Sequence, residues 1–416
     1  MPYQGVLGLI VFLGLCWIFS EKRQSVNLKH ALIGLLVQFV LAYVMLQSSV
    51  AQDMLKGASH VVEALKSATQ EGTSFVFGYL GSSIVPFDLK DEASSSFIFA
   101  FQALPMVMVI SALSMLLFHW GILPFIVKVC SKIFQKTLNI GGALSVAAAA
   151  KVFLGNIDSP ILIRPYLSHL TRSELFTLMT CGMATTSATV MTLYSTILEK
   201  SISHPIAHIL TSSLISIPAA VVLSRVLIPQ TTPPTSGELS NPYSFRSSMD
   251  AVSKGTADGL SIFLNIMAML IVVITLVALL NKALGLIVIN EPLSLQLILG
   301  YLAAPIAWLM GIPFQDVQAA GQLLGTKVAL NEVIAFIKLS QISDMGLTPF
   351  SKTVMVYALC GFANFSVVGI IVGGLGSMVP ERRSEIVELS VKSMLVGALS
   401  SCQSGAMVGL ILSFGN

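Results

Sequence analysis

The chain has 416 residues, of which 55% are hydrophobic and only 10% charged, with a net charge of +3 and a mean hydropathy of +0.85. A soluble domain carries about 25% charge, so this chain cannot coat a water-facing surface. A soluble enzyme, a disordered chain and a nucleic-acid binder, which needs basic clusters for phosphates, are excluded, leaving a polytopic membrane protein.

A membrane helix needs about 20 mostly apolar residues. In chain order, spans are predicted at 4–20, 30–47, 97–118, 175–197, 205–228, 260–281, 353–376 and 387–414, eight in all. The first apolar run, Val6 to Phe19, has no basic residue before it and no small-residue cleavage site, so it reads as a span and not as a signal peptide. Residues 48–74 mix polar and apolar positions and suit an interfacial helix. Residues 119–136 look similar, with Lys128, Lys132 and Lys136 at helical spacing on one side. The longest polar loop is 229–258. Two further segments, about 140–172 and 296–342, are apolar but too broken to span. The five cysteines (Cys16, Cys130, Cys181, Cys360 and Cys402) lie in apolar stretches. Their odd count and the lack of a CxxC argue against disulfides and a metal site.

Basic residues set the orientation. With the N-terminus outside, 14 of the 23 fall inside: Lys22, Arg23, Lys29, Lys128, Lys132, Lys136, Arg164, Arg172, Arg225, Arg246, Lys254, Arg382, Arg383 and Lys392. Seven fall outside: Lys56, Lys66, Lys90, Lys200, Lys282, Lys338 and Lys352. The remaining two, Lys151 and Lys327, each lie in a broken segment. This topology makes both broken segments enter and leave on one side. They are re-entrant hairpins, the first from inside and the second from outside.

The segments after the two hairpins are alike. Cys181-Gly182-Met183-Ala184-Thr185-Thr186-Ser187 and Cys360-Gly361-Phe362-Ala363-Asn364-Phe365-Ser366 share C-G-x-A-x-x-S. Asp158 stands 23 residues before the first motif and Glu332 stands 28 before the second. Leu-Thr recurs at 170–171 and 347–348, just before each span. Because the hairpins open to opposite sides, the repeat is inverted. Inverted repeats with interrupted helices point to a secondary transporter holding its substrate near the midplane.

The first tip reads Lys151-Val-Phe-Leu154-Gly155-Asn156-Ile157-Asp158-Ser159-Pro160, and the second Gly325-Thr326-Lys327-Val-Ala-Leu-Asn331-Glu332. Irregular backbone at membrane depth survives only where protein or a water-filled cavity satisfies it. Ionisable groups there default to a functional reading, against the competing reading of purely structural turns. A carboxylate such as Glu332 can accept from two neighbouring hydroxyls of a ribose or other polyol. Lys327, five residues away, could neutralise it as a structural pair. Asn364 brings a donor and an acceptor inside a span, with Thr185 as its counterpart, and Phe362 offers a ring face.

These residues resemble the concentrative nucleoside transporters over nearly the whole chain. The carriers are LCGFAN at 359–364, TKVALNE at 326–332, the P-x-R-R loop from Pro380 to Arg383, GTSF from Gly72 to Phe75, and I-R-P-Y at 163–166. The resemblance implies an all-α polytopic, elevator-type transporter with eight transmembrane helices and two opposed re-entrant hairpins in an inverted repeat. It implies a homotrimer in which a scaffold part trimerises and a transport part, built from the hairpins and the two interrupted helices, moves. The expected division is 1–118 (scaffold helices 1–3 with an interfacial helix), 119–228 (first repeat), 229–290 (cytoplasmic loop and scaffold helix 6) and 291–416 (second repeat). The expected place is the cytoplasmic (inner) membrane, with both termini outside.

By the same resemblance, Glu332 and Asn364 hold the ribose hydroxyls and Phe362 lies by the nucleoside. Val190 matches a valine lining the base side. A serine that often contributes three residues after the asparagine is Val367 here, so that contact is lost. The family's first tip runs G-Q-[ST]-E-[AS]-P. Here Gly155 and Pro160 match, while Asn156, Ile157 and Asp158 shorten two side chains and remove one donor, which alters the base pocket. The sharpest departure is Lys151. Sodium-coupled members place an asparagine there, whose carbonyl helps coordinate the ion together with backbone carbonyls near the tip and a serine hydroxyl at the position of Thr185. A hard cation needs oxygen ligands, and lysine has none. The altered ion set is Lys151, the Leu154 carbonyl, Thr185 and Thr186. The expectation is that the Lys151 ammonium occupies or repels the sodium site, or cycles its proton, so that transport is sodium-independent or proton-coupled. The rival is that Lys151 swings toward Asp158 and sodium binds elsewhere.

No organic cofactor is implied, and the coupling ion is Na+ or H+. The expected partners are a nucleoside and the bilayer, with no nucleic acid. Alternatives are a sodium-coupled symporter, a carrier of another ribosylated metabolite, and a transport-incompetent nucleoside sensor. A membrane enzyme ranks last, because no nucleophile–base pair, HExxH, GxSxG, Walker A or dinucleotide fingerprint occurs. His119, His169, His204 and His208 read as interfacial, and Trp17, Trp120 and Trp308 as interface anchors. Gly369-x-x-x-Gly373 and Gly405-x-x-x-Gly409 suit close helix packing.

Overall fold

The computed structural model describes residues 2–82, 86, 98–156, 158–199, 201–237, 245–286, 293–343 and 346–414. Ile157, Lys90 and Lys200 lie outside these residues. The secondary structure is helical throughout. Two apolar helices open the chain, α1 (Pro2–Ile18) and α2 (Leu28–Gln47), followed by the amphipathic α3 (Ser49–Phe77). A short turn α4 (Phe99–Gln102) leads into α5 (Met106–His119), where one long span was expected from 97 to 118. The helix α6 (Ile122–Leu138) buries Leu123, Val127, Ser131, Phe134 and Leu138 and leaves Lys128, Lys132 and Lys136 exposed, as their spacing predicts.

The first hairpin consists of α7 (Gly142–Lys151) and the single-turn α8 (Asp158–Ile161). Every residue of α7 is buried, and its run of alanines permits that depth. The span predicted at 175–197 is two helices, α9 (Arg172–Ala184) and α10 (Ala188–Leu198), parted by extended residues 185–187. Then come α11 (Pro205–Leu227) and α12 (Ser248–Leu284), the latter far longer than its predicted apolar core. Gly255 and Gly259 on α12 lie against Ala112 and Met108 on α5, where an added Cβ would stand 2.6 Å from either Cα. Those two glycines let the helix axes approach closely.

The second half repeats the plan. The helix α13 (Leu295–Leu309) precedes a hairpin of α14 (Val317–Ala329) and α15 (Glu332–Gln341). The span predicted at 353–376 is also split, into α16 (Pro349–Leu359) and α17 (Phe365–Met378), and α18 (Arg383–Phe414) ends the described chain. Five helical stretches among the described residues are long and apolar enough to cross a membrane: Leu28–Gln47, Phe99–His119, Pro205–Leu227, Ser248–Leu284 and Pro380–Phe414. The apolar helices at Tyr3–Ile18, Leu295–Leu309 and Phe365–Met378 are shorter.

Both hairpins begin and end at one place, and the recurring Leu-Thr pair is what closes them. In the first, Thr171 caps α9 in a reciprocal capping box with Glu174. The Glu174 carboxylate also accepts from Thr235 N–H (2.8 Å) and Thr235 Oγ1 (2.7 Å), and it lies against Gly141 at the start of the hairpin. In the second, Thr348 caps α16 and donates both its N–H (3.0 Å) and its Oγ1 (2.6 Å) to Asp316, which starts α14. Each closure satisfies helix-end donors that hydrocarbon could not.

Two of the basic residues assigned to the inside, Arg172 and Lys392, converge on one carboxylate, Glu21. Arg172 makes a bidentate pair with Glu21 (3.0 and 3.1 Å) and reaches Glu388 (2.5 Å), while Lys392 also meets Glu21 at 3.0 Å. The bond from Arg172, and then that from Lys392, holds the Glu21 carboxyl below the ordinary carboxylate range. Lys66, assigned to the outside, pairs with Glu199. One expectation fails. Gly369 and Gly373 are exposed, and among the described residues nothing lies within 4 Å of an added Cβ, because α17 buries Val367, Ile371 and Leu375 on its other face. Gly405 and Gly409 do pack closely, against Met310 and the α16 residues Val354 and Ala358.

Candidate functional site

The two interrupted helices cross at their breaks. An added Cβ on Gly361 would stand 2.9 Å from the Ala184 carbonyl oxygen and 3.0 Å from that of Met183, so the break of α16–α17 rests on the end of α9. Gly397 of α18 lies equally close to Met183. Only glycine permits both approaches, which accounts for Gly361 within the shared motif. Both hairpin tips reach this crossing.

The second tip supplies Glu332, in the first turn of α15 and 4% exposed. Asn331 caps that helix, accepting from Ile334 N–H at 3.0 Å. Asn364 caps α17 in the same way, accepting from Val367 N–H at 3.0 Å, and its Nδ2 donates to Glu332 Oε2 at 2.8 Å. The carboxylate therefore sits where two helix N-termini converge, which favours its charge. Its other oxygen accepts from Tyr194 OH at 2.7 Å. Tyr194 is fully buried on α10, against the Phe336 ring at 4.7 Å between centroids.

Asn364 lies at the interruption of its span, in keeping with the interrupted helices that the resemblance implies. Its side chain serves the cap and the carboxylate at once. Tyr194 went unmarked in the sequence because it belongs to no motif. The available signal was its position one turn after Val190, on the same face of α10. Val190 is buried, and Phe362 is partly buried at the crossing.

Among the described residues Lys327 makes no direct ion pair with Glu332, although the two charges act on each other through space. Its ammonium donates to the Ala358 carbonyl (2.8 Å) and to Ser401 Oγ (2.8 Å), so it ties hairpin 2 to the end of α16 and to α18. That binding satisfies an α16 carbonyl released by the helix break.

The first tip is arranged differently. Lys151 ends α7, is 2% exposed, and holds its Nζ 5.1 Å from the centroid of the Phe362 ring. Among the described residues Nζ has no hydrogen-bond partner, so the swing to Asp158 that the rival reading required is absent. The cation faces a ring quadrupole instead, worth about 2 kcal/mol or more when desolvated. The Asp158 carboxylate folds back over Gly155, 2.8 Å from where a Cβ would stand there. The Asn156 Oδ1 lies against Gly182, is buried and has no partner among the described residues. Thr186 lies within hydrogen-bonding reach of the Cys360 thiol, and its N–H donates to Ser213 Oγ at 3.2 Å. Thr185 Oγ1 donates to the Cys181 carbonyl at 2.7 Å, completing the end of α9. Leu154 is buried and its N–H bonds the Ala150 carbonyl at 2.8 Å. The geometry thus joins Glu332, Asn364, Phe362 and Lys151 at the crossing, with Asn156 against α9. Of Ile157 nothing is described.

Family models described as Na+ dependent nucleoside transporter match residues 7–80 (N-terminus) and 208–409 (C-terminus), and one described as nucleoside recognition matches 100–201. The nucleoside permease NupC of Helicobacter pylori is 31% identical over 414 residues, covering 98% of this chain and 97% of that protein. The transporter YutK of Bacillus subtilis is 34% identical over 419 residues, covering 98% of this chain and 99% of its own. Among solved structures, CNTnw in an inward-facing substrate-bound state has a TM-score of 0.90 at 29% identity, covering 98% of each chain. A doubly substituted CNTnw in an outward-facing state has a TM-score of 0.91 at 28% identity, covering 100% of this chain and 98% of that one. These matches span the hairpins, the breaks and the flanking helices alike, and the chain belongs to the concentrative nucleoside transporter family.

Proposed function

We propose that this protein imports nucleosides across the cytoplasmic membrane by an elevator movement, and that its transport does not depend on sodium. The observation that carries the substrate assignment is the Glu332 carboxylate, buried at the crossing and bonded by Tyr194 and Asn364. Carboxylate and amide together accept from, and donate to, two adjacent hydroxyls, which is the pattern a ribose presents. The ribose would take over or share these bonds, so the site loses little on binding and is left unpaired by a substrate lacking the hydroxyls. The base would then lie toward hairpin 1, beside Phe362 and Val190, with Gly155, Asn156, Ile157 and Asp158 shaping the tip.

The coupling assignment rests on Lys151. Its ammonium, buried and without a hydrogen-bond partner among the described residues, brings a positive charge and no oxygen ligand beside Thr185, Thr186 and Leu154. A sodium ion placed there would meet that charge in a low dielectric, where repulsion is strongest. Coupling would pass to a proton, or the carrier would run as a uniporter. The family description favours a second reading, sodium symport with the ion held elsewhere. The working unit is a homotrimer in the inner membrane with both termini outside. Each protomer divides into scaffold (1–118 and 229–290) and two transport repeats (119–228 and 291–416).

Radiolabelled uridine and adenosine uptake into proteoliposomes tests both assignments, with sodium and pH gradients imposed separately. Uptake without sodium is expected. Clear sodium stimulation overturns the coupling, and binding of nucleoside without counterflow exchange overturns transport in favour of a sensor.

A further inference from the structure

Away from the hairpin tips, the ends of α2, α6 and α11 enclose a cavity of about 250 Å³, closed on one side by residues of the loop at 229–234. Its charged group is Arg225, in the last turn of α11. One guanidinium nitrogen, Nη1, donates to the Leu138 and Asn139 carbonyls at 3.3 and 3.1 Å. The Nε is buried and has no partner among the described residues. Asn139 holds a left-handed conformation (φ 50°), which presents its side chain to His30, with Nδ2 and Nε2 3.0 Å apart. With Asn139 donating, the His30 ring carries its proton on Nδ1, a second donor. Ser25 adds a hydroxyl at the α2 end of the same wall.

No carboxylate is among the described residues lining this cavity. Glu174, at the nearby closure of hairpin 1, already accepts from Thr171 and Thr235. A largely buried guanidinium that lines a cavity with no acid among its described lining residues, and with only Glu174 acting on it through space, is costly unless an anion completes it. The N-terminus of the 20-residue α2 points its dipole into the same space, which adds in the same direction. The basic residues that come after α1, Lys22 and Arg23, and Lys29 at the start of α2 share this end of the molecule.

We propose that this cavity binds a phosphate-class anion, with Arg225 as its charge partner and His30, Asn139 and Ser25 as hydrogen-bonding partners. The phosphate belongs either to an anionic phospholipid headgroup or to a soluble phosphate. The apolar remainder of the lining, including Val221, Val222 and Ala31, accommodates the start of an acyl chain in the first case. Bound there, the anion bridges α2, α11 and the α6–α7 junction.

The test uses the full-length purified protein in two arms. In detergent, inorganic phosphate is titrated by calorimetry. In nanodiscs of mixed phosphatidylglycerol and phosphatidylcholine, the lipid that stays with the protein is counted by native mass spectrometry. Binding is expected in one arm, falling about tenfold in Arg225→Gln. Because Arg225 also holds two carbonyls, His30→Glu is the second variant. It leaves those bonds intact and sets a carboxylate at the mouth, and it should weaken binding by a similar factor. Phosphate binding alone assigns a soluble ligand, and phosphatidylglycerol retention alone assigns a lipid. Binding in neither arm, or binding unchanged in His30→Glu, overturns the proposal.

Discussion

Each hairpin ends its first helix with a lysine and opens its second with an acid: Lys151 and Asp158 in the first, Lys327 and Glu332 in the second. The polarity is the same in both, with the cation at a helix C-terminus and the acid at a helix N-terminus, each favoured by the dipole. The outcomes differ. Lys327 has two good acceptors and Glu332 two good donors, so hairpin 2 is a closed network. Hairpin 1 leaves Lys151 Nζ and Asn156 Oδ1 buried without hydrogen-bond partners among the described residues. A closed polar network fixes geometry before the ligand arrives, whereas an open one leaves groups for a ligand, an ion or a proton to satisfy. Hairpin 2 is therefore the preorganised end of the site and hairpin 1 the variable end.

The strongest way to break this comparison is to neutralise the closed end. Glu332→Gln turns an acceptor-only group into one that must also place donors, and Asn364→Ala removes both the cap of α17 and a donor to the carboxylate. Hydrogen bonds to a charged group contribute about 1.5–3 kcal/mol each, so losing two should weaken nucleoside binding about 100-fold or more. Scintillation proximity binding of uridine and adenosine would check it. Unchanged affinity in either variant removes the ribose assignment.

The next effect is qualitative. Lys151→Asn replaces the unpartnered ammonium with a carbonyl oxygen beside Thr185 and should make uptake depend on sodium where it did not before. Uptake measured against external sodium should go from flat to saturable, and a variant that stays flat would separate Lys151 from coupling.

The two lysines can also be compared directly for stability. Lys327→Met strips donors from the Ala358 carbonyl and Ser401, at about 1–3 kcal/mol for a buried group left unsatisfied. Lys151→Met removes a costly buried cation together with its contact to the Phe362 ring, two effects that oppose each other, and should be close to neutral. Thermal unfolding in detergent should show a clear loss for Lys327→Met and little change for Lys151→Met. Equal destabilisation would mean that hairpin 1 is also a closed network. A smaller step along the same line is Tyr194→Phe, which keeps the ring on Phe336 but removes one donor to Glu332. A rise of about tenfold in the nucleoside Kd corresponds to about 1.4 kcal/mol, and full uptake at saturating substrate should remain.

How much of this could be read from the chain depends on where the physical constraint lies. Charge scarcity and span length placed most helices to within a few residues, because the bilayer makes both obligatory. The Leu-Thr pairs marked the hairpin closures, since a capping threonine is a local signal that needs no tertiary context. The breaks at 185–187 and 360–364 escaped hydropathy, because interrupted helices remain apolar throughout. Tyr194 and Ser401 escaped as well. Each acquires its role from a partner far along the chain, 138 residues from Tyr194 to Glu332 and 74 from Lys327 to Ser401. The apparent Lys327–Glu332 pair misled for the same reason, since closeness in sequence across a turn does not fix where a long side chain goes. Exposed Gly369 and Gly373 show that a small-residue motif marks where a contact face can form and not that one is occupied.

The smallest expected effect lies at the open end. Asn156→Gln restores a longer amide to the hairpin 1 tip, where the present side chain rests its Oδ1 near Gly182 without a partner. One added methylene shifts the amide by little more than a bond length, so it changes which edge of a base can be met without touching the ribose contacts. Discrimination by a single methylene is about 1–3 kcal/mol at most in a tight pocket, and a partly open tip should show the lower part of that range. The expected result is a several-fold change in the ratio of uridine to adenosine uptake, with the loss of binding on removing the ribose hydroxyls unchanged. Competition by 2′,3′-dideoxynucleosides separates the two readouts. If Asn156→Gln changed ribose dependence and left base preference alone, the division of labour between the hairpins would be reversed, and Glu332 would have to read the base.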